Sequence, residues 1–312
     1  MNAIETHGLT RQYGKAFAVK DLNLKVRPGT VYGFLGPNGA GKSTTIKMLM
    51  GFARPTSGTA SIMGLDVKTK YLEIRKMTGY LPEQPAFYED MTARDNLEYF
   101  GDLTGLKNLD KRMDEVFSQV GLEGRYHDKV KTYSHGMRQR LGIAIALLGD
   151  PKLLIMDEPT TGLDPQGSHD IRELIKKFKK DNITIFLSSH QLHEVQDICD
   201  TVGIIKDGGL IAEGSIDDFL RGIEGNKPIM EFTVSSFEDA QVRLIESIKG
   251  VKGVTAGNGT LKVTVDDHSV TEDVTVALVN AGVRIRGVRE VMPTLEDAFL
   301  RAIRESQGEG QA

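Results

Sequence analysis

Eight consecutive residues, Gly36, Pro37, Asn38, Gly39, Ala40, Gly41, Lys42 and Ser43, follow the pattern G-x-x-x-x-G-K-[ST]. The pattern suits phosphate chemistry. Nucleotide phosphates carry several negative charges, and a glycine-rich turn lets backbone N–H groups approach them closely. Lys42 adds a point charge for the β- and γ-phosphates, and the Ser43 hydroxyl can ligate Mg²⁺. Thr44 continues the same anion-facing turn. The apolar run 31–35 before the loop reads as a strand. Residues 41–51 read as a helix whose N-terminal N–H groups and dipole face the anion. Further along, Asp157 and Glu158 close the apolar run 153–156. In a parallel sheet the C-terminal ends of strands line the ligand crevice. Asp157 is expected there to hold Mg²⁺, directly or through water. Glu158, on the other side of the strand, can accept a proton from an attacking water.

The elements that must position these residues alternate between strand and helix. Residues 2–27 fall into short β-like runs, Pro28 and Gly29 form a turn, and 57–62 resembles another strand of the same layer. From Thr92 to Leu148 the pattern is mostly helical, with Thr92 as N-cap and Asp95 three residues on. Runs 153–156, 183–187 and 202–205 are buried-strand candidates separated by helical segments, which predicts a mainly parallel sheet covered by helices. A boundary is expected around 222–228. Beyond it the order is strand 229–234, helix 237–248, strands 251–256 and 260–265, helix 271–281 and strand 283–291. That βαββαβ order predicts a ferredoxin-like domain. A last helix starts near Thr294, and 306–312 reads as a flexible tail. The expected domains are therefore 1–222, with a helical part at about 92–148, and 228–305.

Composition narrows the function classes. A chain of 312 residues allows about two domains. With 39 Lys and Arg against 43 Asp and Glu, the net charge is −4, so no basic footprint for nucleic acid is present. The one basic run, Lys176, Lys177, Lys179 and Lys180 around Phe178, fits a solvated helix C-terminus where cations complement the dipole. Cys199 is the single cysteine, which excludes an intrachain disulfide and suits a reducing cytosol. No apolar run approaches the ~18 residues of a membrane span, and the first residues lack the features of a secretion signal. Membrane spans, if the protein serves a membrane, are expected on a separate chain. His190 and His193 lie three apart but lack a third ligand, which argues against a metal site there.

Six elements in a fixed order between residues 13 and 190 make this chain resemble the ATP-binding cassette (ABC) ATPases, which are α/β P-loop NTPases with an antiparallel β subdomain and a helical subdomain. Tyr13 matches the aromatic that stacks on adenine. The phosphate loop follows. Gln84, in Tyr80-Leu81-Pro82-Glu83-Gln84, resembles the glutamine loop. Tyr133-Ser134-His135-Gly136-Met137 stands where the family has its signature, written LSGGQ. Residues 157–164, Asp-Glu-Pro-Thr-Thr-Gly-Leu-Asp, match the carboxylate strand and the loop ending at Asp164. His190 matches the switch histidine. The resemblance implies ATP as ligand with Mg²⁺ held by Ser43, Gln84 and Asp157, and Lys42, Glu158 and His190 as the catalytic set. It also implies that Ser134, Gly136 and Asp164 meet the nucleotide of a second copy of the chain, so that two ATP molecules are sandwiched in a homodimer. The signature departs from the family at Tyr133, His135 and Met137; His135 is expected to point away from the nucleotide. The YSxGM form and the ending Met292-Pro293-Thr294-Leu295-Glu296-Asp297-Ala298-Phe299-Leu300 resemble the ATPases of ABC-2 type exporters. The implied protein hydrolyses ATP on the cytosolic face of the membrane, bound peripherally to a separate permease. An alternative is a soluble cassette ATPase acting on nucleic acid or ribosomes, but such proteins usually show two cassettes, a long coiled coil or a basic arm. An importer subunit is the remaining alternative.

Overall fold

The computed structural model describes residues 1–106, 108–222, 227–257 and 259–291, together with 295, 296, 299 and 303. The expected tail 306–312 and most of the C-terminal motif and last helix lie outside the described residues, as do 223–226. The chain divides into two compact units, 1–216 and 217–312.

The first unit begins with β1 (Ile4–Tyr13), β2 (Ala16–Leu22), β3 (Lys25–Val26), β4 (Val31–Leu35), α1 (Lys42–Leu49), β5 (Ser57–Ile62) and β6 (Leu65–Asp66). It continues with α2 (Tyr71–Met77), β7 (Thr78–Leu81), α3 (Ala93–Thr104), α4 (Leu109–Val120) and α5 (His135–Leu147). Then come β8 (Leu153–Asp157), α6 (Pro165–Lys180), β9 (Thr184–Ser189), α7 (Leu192–Gln196), β10 (Thr201–Lys206) and β11 (Gly209–Ser215). One sheet has the order β11-β10-β4-β9-β8-β7 and is parallel from β10 to β7. β4, β8 and β9 are buried along their whole length, as expected for strands covered on both faces. A second sheet, β2-β1-β5-β6 with β3 beside β1, is antiparallel. Phe34, Ile46, Leu49, Ile155 and Phe186 join Ile4, Leu9, Leu22 and Ile62 of this second sheet in one core. The buried Cys199 thiol is pushed well up by desolvation, as befits an inert packing residue.

Two features of this unit escape the sequence pattern. β7 and the helix before it, α2, are short, and β7 contains Gly79 and borders the sheet. β11 is the partly exposed antiparallel edge that folds back on β10. Neither presents the apolar run or alternation that identifies a strand.

Helix α8 (Ile216–Gly222) begins at the last residue of the first unit; the second unit continues with β12 (Ile229–Val234), α9 (Asp239–Glu246), β13 (Val251–Gly257), β14 (Thr260–Val265), α10 (Val270–Asn280) and β15 (Ile285–Val291). Its sheet, β13-β14-β12-β15, is antiparallel throughout, the strand arrangement of a ferredoxin-like fold. Alternate residues Phe232, Val234, Leu261, Val263 and Val265 meet Ile245, Val274 and Leu278 of the two helices in a separate core.

The helical part between β7 and β8 starts on a capping box. Thr92 Oγ1 accepts from Asp95 N–H at 3.1 Å, and the Asp95 carboxylate accepts from Thr92 N–H at 2.9 Å. These hydrogen bonds hold the Asp95 carboxyl below the usual carboxylate range. Thr92→Ala should lower stability by about 1 kcal/mol in urea unfolding. The part owed to the Asp95 charge is present above the carboxylate's unfolded pKa and lost as pH falls through its lower folded value.

Candidate active site

Strand register brings the chemistry together. Leu35 pairs with Ser189 and Asp157 with Ser188, so β4, β9 and β8 end in one row. The residues that leave those three ends, Gly36, His190 and Glu158, therefore emerge side by side. Gly36 N–H donates to the Ser189 carbonyl at 3.4 Å and ties two of the ends.

The loop 36–43 turns directly into α1. Gly41 caps the helix with φ 109°, and a Cβ there would lie 2.3 Å from the Ala18 carbonyl oxygen, so both backbone and space demand glycine. Among the described residues no side chain caps α1, and its first turn holds no acidic residue. Its N-terminal N–H groups and dipole are thus suited to an anion.

Lys42 is 6% exposed. Its Nζ donates to the Gly36 carbonyl at 2.7 Å and stands 3.3 Å from Glu158 Oε1. Glu158 Oε2 lies 2.7 Å from His190 Nδ1 and accepts from Thr161 Oγ1 at 3.2 Å. The strand alternation expected to aim Glu158 ends at Asp157; Glu158 itself has φ 52°, in the left-handed region. Its N–H donates to Ser188 Oγ at 3.0 Å, which anchors the turn and swings the carboxylate onto Lys42 and His190. Asp157 is 3% exposed and accepts from Ser188 Oγ at 2.5 Å. Asn38, Gly39, Ser43 and Thr44 line the same cleft, of about 490 Å³, as Lys42, Glu158, Thr161 and His190.

The donor set fits Mg²⁺. Ser43 and Asp157 offer hard oxygens, and among the described residues no cluster of three His, Cys, Asp or Glu could hold a metal alone. Few protein ligands, with water and phosphate completing the shell, is the usual Mg²⁺ arrangement. Burial together with the charges of Asp157 and Glu83 pushes the Tyr80 hydroxyl up to about 12.

Other expected site residues lie elsewhere. Gln84 is exposed, and it is Glu83 that lines the cleft. Tyr13 is 49% exposed at the end of β1, with the Arg11 guanidinium 4.4 Å from its ring centre. Ser134, Gly136 and Asp164 line a second cleft of about 580 Å³. Ser134 N-caps α5, accepting from Met137 N–H at 3.3 Å, which leaves its own O–H to donate. A Cβ at Gly136 would meet nothing nearer than Leu163 Cδ2 at 3.9 Å, so packing within the chain does not require glycine there. The Asp164 carboxylate is engaged as N-cap of α6, accepting from Gly167 N–H at 2.7 Å. His135 is exposed and lines the same second cleft, with its Nε2 3.2 Å from the Thr161 carbonyl oxygen. Ser188 and Thr161 were not singled out in the sequence. Two hydroxyls ending the apolar run 185–187, beside a carboxylate strand, were the available signal for Ser188.

Residues 19–161 match the ABC transporter family, and 214–303 match the C-terminal domain of DrrA1-3-like ATP-binding proteins. A linearmycin resistance ATP-binding protein of Bacillus subtilis is 35% identical over 95% of this chain and 97% of its own length. A bacitracin transport ATP-binding protein of Enterococcus faecalis is 36% identical over 96% of each chain. The chain belongs to the ABC transporter ATPases. The cassette superposes on the solved ATP-binding subunit of an ABC transporter with TM-score 0.64 and 32% identity, covering 70% of this chain and 92% of that one. A dimeric cassette in a post-hydrolysis state with ADP and Pi matches with TM-score 0.62 and 25% identity, over 68% of this chain and 98% of that one. The protein is a nucleotide-binding, ATP-hydrolysing subunit of an ABC-2 type exporter. The DrrA-like second unit sets aside the alternative of a non-transport cassette.

Glu158→Gln should retain ATP binding, because Lys42 and the loop N–H groups remain, while steady-state turnover falls by about 10²–10⁴-fold. Phosphate release and fluorescent-nucleotide titration measure the two separately. Full turnover in the variant would remove Glu158 from the reaction.

Proposed function

We propose that two copies of this chain close on two ATP molecules and that closure drives efflux through a separate permease. The observation that carries this reading is the division of the expected nucleotide contacts between two clefts. One holds the phosphate loop and Glu158; the other holds Ser134 and Gly136. The second has a free hydroxyl proton, an uncrowded glycine and a helix N-terminus, and it is suited to the phosphates of a nucleotide carried by another copy.

Within each composite site Lys42 balances the γ-phosphate charge and the α1 N-terminus holds the phosphate chain. Glu158 accepts the proton of the attacking water. His190, fixed to Glu158 through Nδ1, keeps Nε2 for the γ-phosphate. Ser43 and Asp157 would hold Mg²⁺, with Gln84 joining from its exposed loop. The ion's contribution is charge neutralisation on the phosphates. Tyr13 is assigned to the adenine, and its exposed ring is accessible for stacking.

No helix among the described residues is long and apolar enough to cross a membrane. We assign the chain to the cytosolic face, held by its permease. The surface after Gln84 suits that contact, with Tyr88, Tyr99 and Leu103 exposed by 47%, 41% and 69%. The named relatives point to an antibiotic as cargo.

Light scattering of Glu158→Gln tests the sandwich. Mg·ATP should convert the protein from monomer to dimer, and ADP should not. A protein that binds ATP and stays monomeric contradicts closure by this chain alone.

A further inference from the structure

We propose that His135 is a positioning residue that couples the two clefts of one chain, transmitting engagement at Ser134 and Gly136 to the carboxylate of Glu158. The proposal rests on the sandwich reading above.

His135 is the first residue of α5, between the capping Ser134 and Gly136. Its imidazole therefore moves with the turn that carries the hydroxyl and N–H of the second cleft. Its Nε2 lies 3.2 Å from the carbonyl oxygen of Thr161. Thr161 lines the other cleft, and its Oγ1 donates to Glu158 Oε2 at 3.2 Å. Two hydrogen bonds through one residue thus join the rim of the second cleft to the base in the first.

The carbonyl accepts, so Nε2 must carry a proton, which both the imidazolium and one neutral tautomer supply. A glycine at this position, as in the family's usual signature, has no side chain to make the bond. The neighbouring backbone accommodates the ring. Gly162 has φ 76°, and a Cβ there would lie 3.2 Å from His135 Nε2. Gly162 therefore leaves both the loop turn and the imidazole in place.

A second contact gives the coupling a rigid frame. Gln139, one turn along α5 and 2% exposed, donates to the Pro159 carbonyl at 2.8 Å. The helix thus holds the segment after Glu158 at both ends, and a tilt of α5 on closure moves Thr161 with it. Only the His135 contact lies beside the groups that touch the second nucleotide.

His135→Gly and His135→Gln in the full-length protein separate this role from simple packing. For His135→Gly, ATP affinity should stay within about twofold, kcat should fall about tenfold and the Hill coefficient for ATP should fall toward unity. His135→Gln, whose amide N–H can reach the same carbonyl, should recover most of kcat and cooperativity. Combined with Glu158→Gln, His135→Gly should still dimerise with Mg·ATP, because Ser134 and Gly136 are intact. Unchanged kcat and cooperativity in His135→Gly, with the dimer preserved, overturns the inference and leaves the sandwich standing. So does a His135→Gln no better than His135→Gly. Failure of Glu158→Gln itself to dimerise overturns the sandwich reading and the inference with it.

Discussion

Glu158 is a carboxylate that is 7% exposed, and a charge so placed is costly unless it is paired. It is held from two sides, by the Lys42 ammonium at 3.3 Å and by His190 Nδ1 at 2.7 Å. Removing one partner of such a buried pair costs on the order of 3–5 kcal/mol, so the ends of three strands are constrained together. The parallel register exists at this edge in the form that lets the loop after β4, the turn after β8 and the residue after β9 meet. In the proposed reaction the same pairing sets the chemistry, since the group assigned to accept a proton and the group assigned to answer phosphate charge are already in contact.

The segment following Glu158 is held as firmly as the carboxylate. Thr160 Oγ1 donates to the buried Glu194 carboxylate of α7, which Arg172 of α6 faces at 3.3 Å. From the opposite side α5 reaches Pro159 and Thr161 through Gln139 and His135. Residues 159–161 are thus a junction between the helix after His190 and the helix that starts at the signature. Both helices are thus hydrogen-bonded to the segment that follows Glu158. Under the proposed sandwich such a junction is what a chemical step that waits on assembly requires.

The central cleft was legible because its residues sit at the ends of apolar runs. A run such as 153–156 followed by two carboxylates states both the strand and the edge where its ligands lie. The ferredoxin-like order of the second unit was legible for a similar reason, since Met230, Phe232 and Val234 alternate with residues on the other face. What the sequence hid depends on three-dimensional neighbours. Ser188 lies within a buried strand, and its two partners, Asp157 and Glu158, are some thirty residues away. The positive φ of Glu158 breaks the alternation used to aim it. Glu83 rather than Gln84 faces the cleft, because a loop without periodicity gives no rule for which side chain turns inward. The His135 contact with Thr161 likewise joins segments that no local pattern relates.

Complementation between two inactive variants tests the split site most directly. Lys42→Ala spoils the phosphate-loop cleft and leaves Ser134 and Gly136; Gly136→Asp spoils the second cleft and leaves the first. With both confirmed as folded by thermal melting, each alone should hydrolyse almost no ATP. An equimolar mixture should regain a substantial part of wild-type activity, because the mixed dimer holds one complete site made from both chains. A mixture as inactive as its components would mean that each chain completes its own nucleotide site.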